Sequence, residues 1–463
     1  MIAAVRKTLE DMGYNINDSP YKIIQACDDW YRARATDAHK RVTVNGMHYQ
    51  IERMGFARRC AADDANLCEV VEINAGDGND AQFNFVNELL EENRFDTQFR
   101  RQLELTSAEG TTACYVYLDN AQEYSDGSIR GGDIRLCYVD ALGFVPLTVI
   151  DGEVIEAAFT GRRIIGTAEE NTLVVCRLID KKYTYTVRVF DKDGKLLPSK
   201  NQDVVLGEVR PFAVMRTANV NSIDDMDGFG FPKLHDAIPI LKGLDYAFTA
   251  FMGDLDSAEK ITLINEMLCG FDDNGKPIPP NESMKRRFVL LGEKLPQDKG
   301  LVHEINPEIR IESFRDSIEL LLGLLSHQFG FGTKRYSFDT STGNIVTATQ
   351  YIGDRQDMIQ ELNRQRHEAE LYIAGLVRAL LWFSNTYHST AWNLDTEVLV
   401  EFDDSYITDK DAQLESMRND ILSGLGGAYL RMLYLKEKYN LNDEEAVKWA
   451  QMVDPDGGSE PGD

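Results

Sequence analysis

The chain has 463 residues, of which 43% are hydrophobic, so it can bury a large core and form more than one substructure. Its 76 acidic and 49 basic residues give a net charge of −27, which argues against a protein that grips nucleic-acid phosphates through many Lys and Arg contacts. The charge leaves open a protein that surrounds DNA without holding it, and equally a plain acidic surface that favours solubility.

The N-terminal stretch MIAAVRKTLEDMG becomes charged after five residues, too early for the apolar core of a signal peptide. No run of roughly 18 apolar residues occurs, so no membrane span is predicted. The seven cysteines include no Cys-x-x-Cys pair, and most lie beside apolar residues. Buried free thiols in a reducing cytosol are therefore predicted: Cys27, Cys60, Cys68, Cys114, Cys137, Cys176 and Cys269.

The first half of the chain alternates helical and strand-like patterns. Residues 1–35 have the pattern of two helices, the second opened by Ser19 as a cap and Pro20 in the first turn. Further helices are predicted near 53–67 and 82–106. Asp-Gly pairs at 126–127, 151–152 and 193–194 indicate hairpins. An α+β region with meandering antiparallel strands is predicted, the strands being 112–118, 134–140, 153–159, 173–179 and 183–190.

Two helices then frame a compact insert. The first is predicted to start at Pro232, and about 26 residues would form a rod of roughly 39 Å. Pro239 predicts either a kink or a later start. The second helix is predicted over 311–329. The insert between them, 259–310, is predicted to hold short strands and a turn: 261–265, Asn274-Gly275 and 287–291.

A Gly-, Ser- and Thr-rich stretch, FGTKRYSFDTSTGN, separates the second helix from a long third helix. Asn344 is its candidate cap and Gly353 a candidate kink. Shorter helices follow Glu401, the last opened by Asn442, and the tail at 454–463 is predicted to be disordered. The apolar seam of the long helix comprises Ile352, Ile359, Leu362, Ala369, Ile373, Leu376 and Leu380.

The binding motifs of the chain are incomplete. Gly270 to Lys276 has the spacing of a phosphate-binding loop, but Pro277 stands where Ser or Thr should reach magnesium. Asp191-x-Asp193-Gly194 starts like a calcium loop, but Gln202 replaces the expected glutamate, which favours a hairpin turn. The histidines show no zinc spacing. No catalytic residue, metal site or cofactor is therefore predicted.

Four stretches resemble bacteriophage portal proteins of the long-tailed (siphovirus) type, in the same order. FNFVNELLEENRFDTQFRRQLELTSAEGTTACYVYLD is similar to the body of their wing, and NVNSIDDMDGFGFPKLHDAIPILKGLDYAFTAFMGDLDSA to the entry into their first stem helix. STGNIVTATQYIGDRQDMIQELNRQRHEAE resembles the end of their tunnel loop and the start of their long wing helix, and EFDDSYITDKDAQLESM the approach to their crown. The similarity covers most of the chain, and its specificity rests on order and combination.

The resemblance implies an α+β portal fold with an α/β wing, a two-helix stem, a small β-containing clip, a long wing helix and a helical crown. The implied parts are an N-terminal wing (1–231), first stem helix (232–258), clip (259–310), second stem helix (311–330), tunnel loop (331–344), long wing helix with return segment (345–400) and crown with acidic tail (401–463).

The resemblance also implies a function. The expected assembly is a ring of about twelve copies around one closed cyclic axis. Such a ring sits at one capsid vertex of the virion, is assembled in the host cytoplasm, and lets double-stranded DNA enter and leave without sequence specificity. The implied partners are the terminase packaging ATPase, head–tail connector or adaptor proteins, and the major capsid and scaffolding proteins, with no membrane.

Candidate site residues follow from this resemblance. In the tunnel loop, Lys334 and Arg335 would touch passing phosphates or pair with acids of neighbouring subunits, and the sequence leaves both open. The other predicted loop residues are Ser341, Thr342 and Asn344. A second basic cluster in the clip is a candidate partner contact: Lys285, Arg286 and Arg287. The residues predicted to pack the stem are Leu234, Ile238, Leu241, Phe248, Phe314, Ile318 and Leu321.

Two rival interpretations remain at the level of sequence. One is a metal-dependent nuclease or other enzyme that uses the acids of Asp224 to Asp227, although such a run is more often a solvated loop. The other is a non-viral scaffold of acidic helices. A metal-dependent hydrolysis assay and electron microscopy would separate them from a portal.

Overall fold

The computed structural model describes residues 3–34, 36–42, 48–74, 80–123, 129–258, 261–265, 270–271, 273, 277–278, 287–291, 302–305, 309–333, 335–336, 356–403, 410–423, 427–439, 441 and 443–452. Within these residues the α-helices are α1 (Ala3–Asp11), α2 (Ser19–Tyr31), α3 (Phe56–Asn66), α4 (Asp80–Glu92), α5 (Phe95–Glu109), α6 (Lys233–Ser257), α7 (Ile311–Gln328), α8 (Gln356–Tyr387), α9 (Lys410–Leu422), α10 (Gly427–Tyr439) and α11 (Asp443–Met452).

The strands of the same residues are β1 (Lys40–Val42), β2 (His48–Gln50), β3 (Val70–Asn74), β4 (Thr111–Asp119), β5 (Gln122–Glu123), β6 (Ile129–Arg130), β7 (Asp133–Asp140), β8 (Phe144–Ile150), β9 (Glu153–Ile165), β10 (Ala168–Ile179), β11 (Lys182–Asp191), β12 (Gln202–Val205), β13 (Phe212–Arg216), β14 (Ile261–Asn265), β15 (Gly270–Phe271), β16 (Pro277–Ile278), β17 (Arg287–Leu291), β18 (Val302–Ile305) and β19 (Leu399–Phe402). The mixture of helix and sheet confirms the α+β class.

The largest sheet is an antiparallel meander in the order β12-β11-β10-β9-β8, and three of the predicted strands form its β9, β10 and β11. The predicted strands at 112–118 and 134–140 are instead β4 and β7 of a second sheet. Asp151 and Gly152 both have positive φ, at 51° and 81°, and join β8 to β9 as an Asp-Gly hairpin should. At the other predicted turn, Asp191 Oδ1 accepts hydrogen bonds from the backbone nitrogens of Asp193 and Lys195. That carboxylate closes a hairpin turn, as the sequence predicted.

A second sheet, β13-β4-β7, lies against the long helix α8. Because α8 is buried over much of its length, Tyr372, Leu376 and Leu380 contribute to the largest core cluster. The same cluster contains Phe144 and Phe212 from the two sheets. One core therefore joins the N-terminal strands to a helix that begins about 200 residues later in the chain, which makes the fold strongly non-local.

The single helix predicted over 82–106 is wrong. Arg94, in the left-handed region with a φ of 53°, separates α4 from α5. The cause is the amide of Asn93, which donates to the carbonyl of Ile134 and accepts from the nitrogen of Leu136. These bonds to β7 end the helix at that point.

Other differences are local. The cap predicted at Ser19 is wrong, since α2 begins at Ser19 and Asp18 is its cap, with its carboxylate engaged by Arg6 rather than by the helix. Strand β8 was missed because it contains Pro146, which is tolerated since β8 is an edge strand. Helix α6 starts at Lys233 and continues through Pro239, so a later start is excluded.

The insert between α6 and α7 contains the predicted strands β14 and β17, which pair in parallel, while β18 pairs antiparallel on the other side of β14. Gly270 pairs with Ile278 in an antiparallel ladder, which agrees with a tight turn and not with a phosphate-binding loop. The turn Asn274-Gly275 lies outside the described residues, as do Asn344, Ile352, Gly353, Asn442 and the tail.

Strand β19 pairs with β3, so residues 399–402 extend across the predicted boundary between the long wing helix region and the crown. Among the described cysteines all six are free, and five of them are buried. No described helix combines the length and apolar character that crossing a membrane requires.

Candidate functional site

Helices α6 and α7 pack against each other in opposite directions. Gly243 permits a close approach, because a Cβ atom there would lie 3.3 Å from Leu321 Cδ2. Farther along, the ring centroids of Phe251 and Phe314 lie 5.7 Å apart. The predicted stem residues all lie on this helix pair, either buried (Leu234 and Leu241) or half-buried (Ile238, Phe248, Phe314, Ile318 and Leu321).

The same helix pair leaves large apolar side chains exposed in the single chain. Leu320 is 66% exposed and Leu324 48%, and their spacing of four places them on one face of α7. Met252 and Leu255, near the end of α6, are also exposed. Exposed apolar residues that share one helix face are typical of contact surfaces, so the α7 face with Leu320 and Leu324 is a candidate contact with another molecule.

An ion pair closes the base of the insert. Arg310 donates to both carboxylate oxygens of Asp254, with distances of 2.9 Å from Nε and 2.7 Å from Nη2. The hydrogen bonds from Arg310 lower the pKa of Asp254 below its usual value. Arg310 precedes α7 and Asp254 lies in the last turn of α6, so the two ends of the insert are held together.

The chain leaves α7 through a tightly bonded turn. Gly330 has a φ of 77°, and its nitrogen donates to the carbonyl of His327 at 3.0 Å. The nitrogen of Phe331 donates to the carbonyl of Ser326, also at 3.0 Å, which completes a Schellman motif. A Cβ atom at Gly330 would lie 3.2 Å from Glu361 Cγ, so this turn sits directly against α8.

Arg335 and Tyr336, at the beginning of the predicted tunnel loop, contact helix α3. The hydroxyl of Tyr336 donates to Asp63 Oδ2 at 3.1 Å, and Arg335 Nη2 lies 3.7 Å from Asp63 Oδ1. The ring of Tyr336 packs edge-on against those of Phe56 and Phe331. Asp63, whose side chain is only 3% exposed, thus receives a cation and a hydroxyl from this segment.

A buried ionic cluster lies beside Asp63. Lys233 Nζ is 3.0 Å from Asp64 Oδ1 and 3.0 Å from Glu361 Oε1. Burial alone would lower the pKa of Lys233, but the attraction of the two carboxylates outweighs it and raises that pKa. The cluster ties the first residue of α6 to α3 and α8 at once.

Most of the other residues predicted to make contacts in the loop and in the insert lie outside the described residues. Lys334, Ser341, Thr342 and Asn344 of the loop, and Lys285 and Arg286 of the insert, lie outside the described residues. Arg287 is the first residue of β17. For Arg335, the sequence left open contacts with phosphates or with acids of neighbouring subunits, and the single chain instead pairs it with its own Asp63.

The acidic run is spread over an exposed turn. Asp224, Asp225 and Asp227 are exposed, Met226 between them is buried, and Asp225 has a φ of 64°. Within the described part of the chain, no three His, Cys, Asp or Glu side chains are grouped so as to hold a metal ion.

The sequence reasoning missed Asp63, Asp64, Lys233 and Glu361. A signal was present, because the two aspartates follow small residues in CAADDA and so lie on a helix with a narrow buried face. Recognising their partners required the three-dimensional arrangement, since Lys233 lies 169 residues after Asp64 in the chain.

Residues 14–452 match the model of the family described as phage portal protein, SPP1 Gp6-like. Because the match extends over nearly all 463 residues, the chain belongs to this phage portal protein family. No curated protein matched the sequence. Among solved structures, a chain of the neck of a native GTA particle computed with C12 symmetry is 10% identical, with a TM-score of 0.40, over 82% of this chain and 89% of that chain.

Proposed function

We propose that this chain is the portal subunit of a phage particle and assembles into a closed ring around an axial channel for double-stranded DNA. Membership of the portal family over residues 14–452 carries the proposal. The exposed apolar face of α7 with Leu320 and Leu324 supports it, because a ring gives that face a neighbour. We take the ring to contain about twelve copies related by one cyclic axis.

In this ring, α6 and α7 form the stem and the segment after α7 approaches the channel. The net charge of −27 per chain repels phosphate, so DNA passes without being held tightly. Arg335 is one local cation at the beginning of the loop, and it shares its charge with Asp63. The role is mechanical, with the energy for packaging supplied by a separate ATPase.

The insert closed by Arg310 and Asp254 is the proposed clip. As a small unit anchored at one base, it can present a surface to the terminase ATPase during packaging and to connector proteins afterwards. Capsid and scaffolding proteins are the proposed partners of the remaining surface. The site of action is the portal vertex of the virion, after assembly in the host cytoplasm.

Negative-stain electron microscopy of the purified chain tests the proposal. Rings with an axial hole are expected, alone or with scaffolding protein present. A compact monomer across a wide concentration range, with and without scaffold, would contradict it.

A further inference from the structure

The contacts of Asp63 divide into two groups that can be separated by mutation. Arg59, four residues earlier on α3, donates from Nε to Asp63 Oδ2 at 3.0 Å and belongs to the same helix. Tyr336, which is 273 residues after Asp63 in the chain, and its neighbour Arg335 contact the same carboxylate from the segment that follows α7. Only the second group fixes where the segment after α7 lies relative to the wing.

The geometry around Tyr336 makes its position well defined. Its ring is enclosed by Phe56 of α3 and by Phe331 at the end of the Schellman turn, with ring centroids 5.6 Å and 6.2 Å away. Its hydroxyl would be costly to bury without an acceptor, and Asp63 supplies one. A hydrogen bond to an ionised carboxylate is stronger than one between neutral groups.

The neighbouring residue Asp64 connects the same turn of α3 to the stem. It pairs with Lys233 at the start of α6, and Lys233 also pairs with Glu361, against which Gly330 packs. Two consecutive aspartates on α3 therefore hold the start of the first stem helix and the segment that follows the second. The point where the chain enters the proposed stem and the point where it leaves are therefore both held by helix α3.

We infer that Asp63 is a positioning residue, which holds Arg335 and Tyr336 against α3 and so sets the direction in which the chain leaves the stem toward the channel. This inference rests on the proposed function for its meaning, but the contact itself can be tested on the isolated chain. Asp63 acts through the segment and is not itself a residue that touches DNA.

Limited trypsin digestion with mass spectrometry measures the contact directly, because the bond between Arg335 and Tyr336 is a tryptic site. Asp63→Asn removes the charge facing Arg335, and Tyr336→Phe removes the hydroxyl while keeping the ring packing. Each is expected to raise the rate of cleavage after Arg335 about tenfold or more, since cleavage follows the population of the open segment. Arg59→Gln is the matched control, with cleavage after Arg335 at the wild-type rate.

Two results would overturn the inference. One is an unchanged rate of cleavage after Arg335 in both Asp63→Asn and Tyr336→Phe. The other is an increase of the same factor at tryptic sites throughout the chain, together with a lower melting temperature, which would show that Asp63 merely stabilises the fold. Because Tyr336→Phe keeps the half-buried ring and its contacts, it provides an answer even if Asp63→Asn fails to fold.

Packaging measurements extend the test. Rings of Asp63→Asn and Tyr336→Phe are expected to form with normal yield but to retain less DNA than wild type, whereas Arg59→Gln rings retain the normal amount. Normal DNA retention by the first two variants would show that the contact does not position the segment for its function. If the wild-type chain forms no rings, the proposed function fails while the digestion result still decides the role of Asp63.

Discussion

Glu109, at the end of α5, is a fully buried carboxyl group with one hydrogen bond from the protein. Its Oε2 accepts from the nitrogen of Ala141 at 3.0 Å, and its Oε1 has no hydrogen-bond partner among the described residues. Burial, and then repulsion from Asp140 and Asp28, raise the pKa of Glu109 well above its usual value. The folded protein therefore holds a proton that the unfolded chain releases as the pH rises above about 4.3.

We predict that replacing Glu109 changes the pH dependence of the free energy of unfolding. Since the pKa is raised on folding, Glu109 costs stability progressively as pH rises from the unfolded pKa toward the folded one. Glu109→Gln is therefore expected to increase the free energy of unfolding at neutral pH and to flatten its fall as the pH rises above about 4.3. Urea melts over this range measure it, with exposed Glu91→Gln as the control. Equal pH slopes for Glu109→Gln and wild type would contradict the prediction.

Lys233 gives a second prediction on single residues. Lys233→Met leaves the buried carboxylate of Asp64 and the half-buried carboxylate of Glu361 without the ammonium that joins them, which is expected to cost about 3–5 kcal/mol of unfolding free energy. The triple variant with Asp64→Asn and Glu361→Gln should recover much of that loss. Arg162→Met, which breaks the exposed pair with Glu169, should cost at most about 1 kcal/mol. Chemical denaturation measures all of these, and a small loss for Lys233→Met would show that the cluster is not buried in solution.

At the scale of elements, we predict that the exposed face of α7 is needed for ring assembly. Leu320→Asp with Leu324→Asp places two charges on the face proposed to meet a neighbouring copy. Ring formation is expected to fall sharply while the monomer keeps its melting temperature, because both positions are exposed in the single chain. The matched control, Gln360→Asp with Asn363→Asp, adds the same charge at exposed polar positions of a different helix, α8. Analytical ultracentrifugation should find rings in the control and not in the leucine variant.

The proposed clip, the insert between α6 and α7, is the second element with a testable role. Replacing residues 259–308 by a short linker keeps Arg310 and Asp254, whose ion pair holds the two helix ends together. The shortened chain should fold with a nearly unchanged wing, because a closed insert can be removed with modest loss elsewhere. It should fail to package DNA or to bind connector proteins in assembly assays. Normal packaging and tail attachment by the shortened chain would show that the clip is assigned wrongly.

The sequence predicted elements well where their signal is local. The helices at 233–257 and 311–328 and the hairpin at Asp151-Gly152 each depend on apolar spacing or on turn residues, and both kinds of signal lie within a few positions. The break at Arg94 could not be predicted, because it depends on bonds from Asn93 to a strand more than 40 residues later. The partners of Asp63 and Lys233 could not be predicted either, because they also lie far away in the sequence.

At the scale of the whole molecule, the net charge of −27 predicts weak binding of duplex DNA. The purified protein should bind without sequence preference, weakly even at low salt and not detectably at physiological salt, because the excess of acidic residues repels phosphate and few cations contact it. Fluorescence anisotropy with duplexes of unrelated sequence measures this. Nanomolar affinity at physiological salt, or a clear preference for one sequence, would instead reveal a recognition surface.

The pairing of β3 with β19 and the burial of α8 have a consequence for synthesis on the ribosome. The N-terminal strands emerge first, but the helix that covers them ends at Tyr387 and the strand that pairs with β3 ends at Phe402. The N-terminal strands therefore cannot be fully covered until translation has passed Phe402. Shorter chains keep that apolar surface open to chaperones and proteases, so only subunits translated past this strand become competent for assembly.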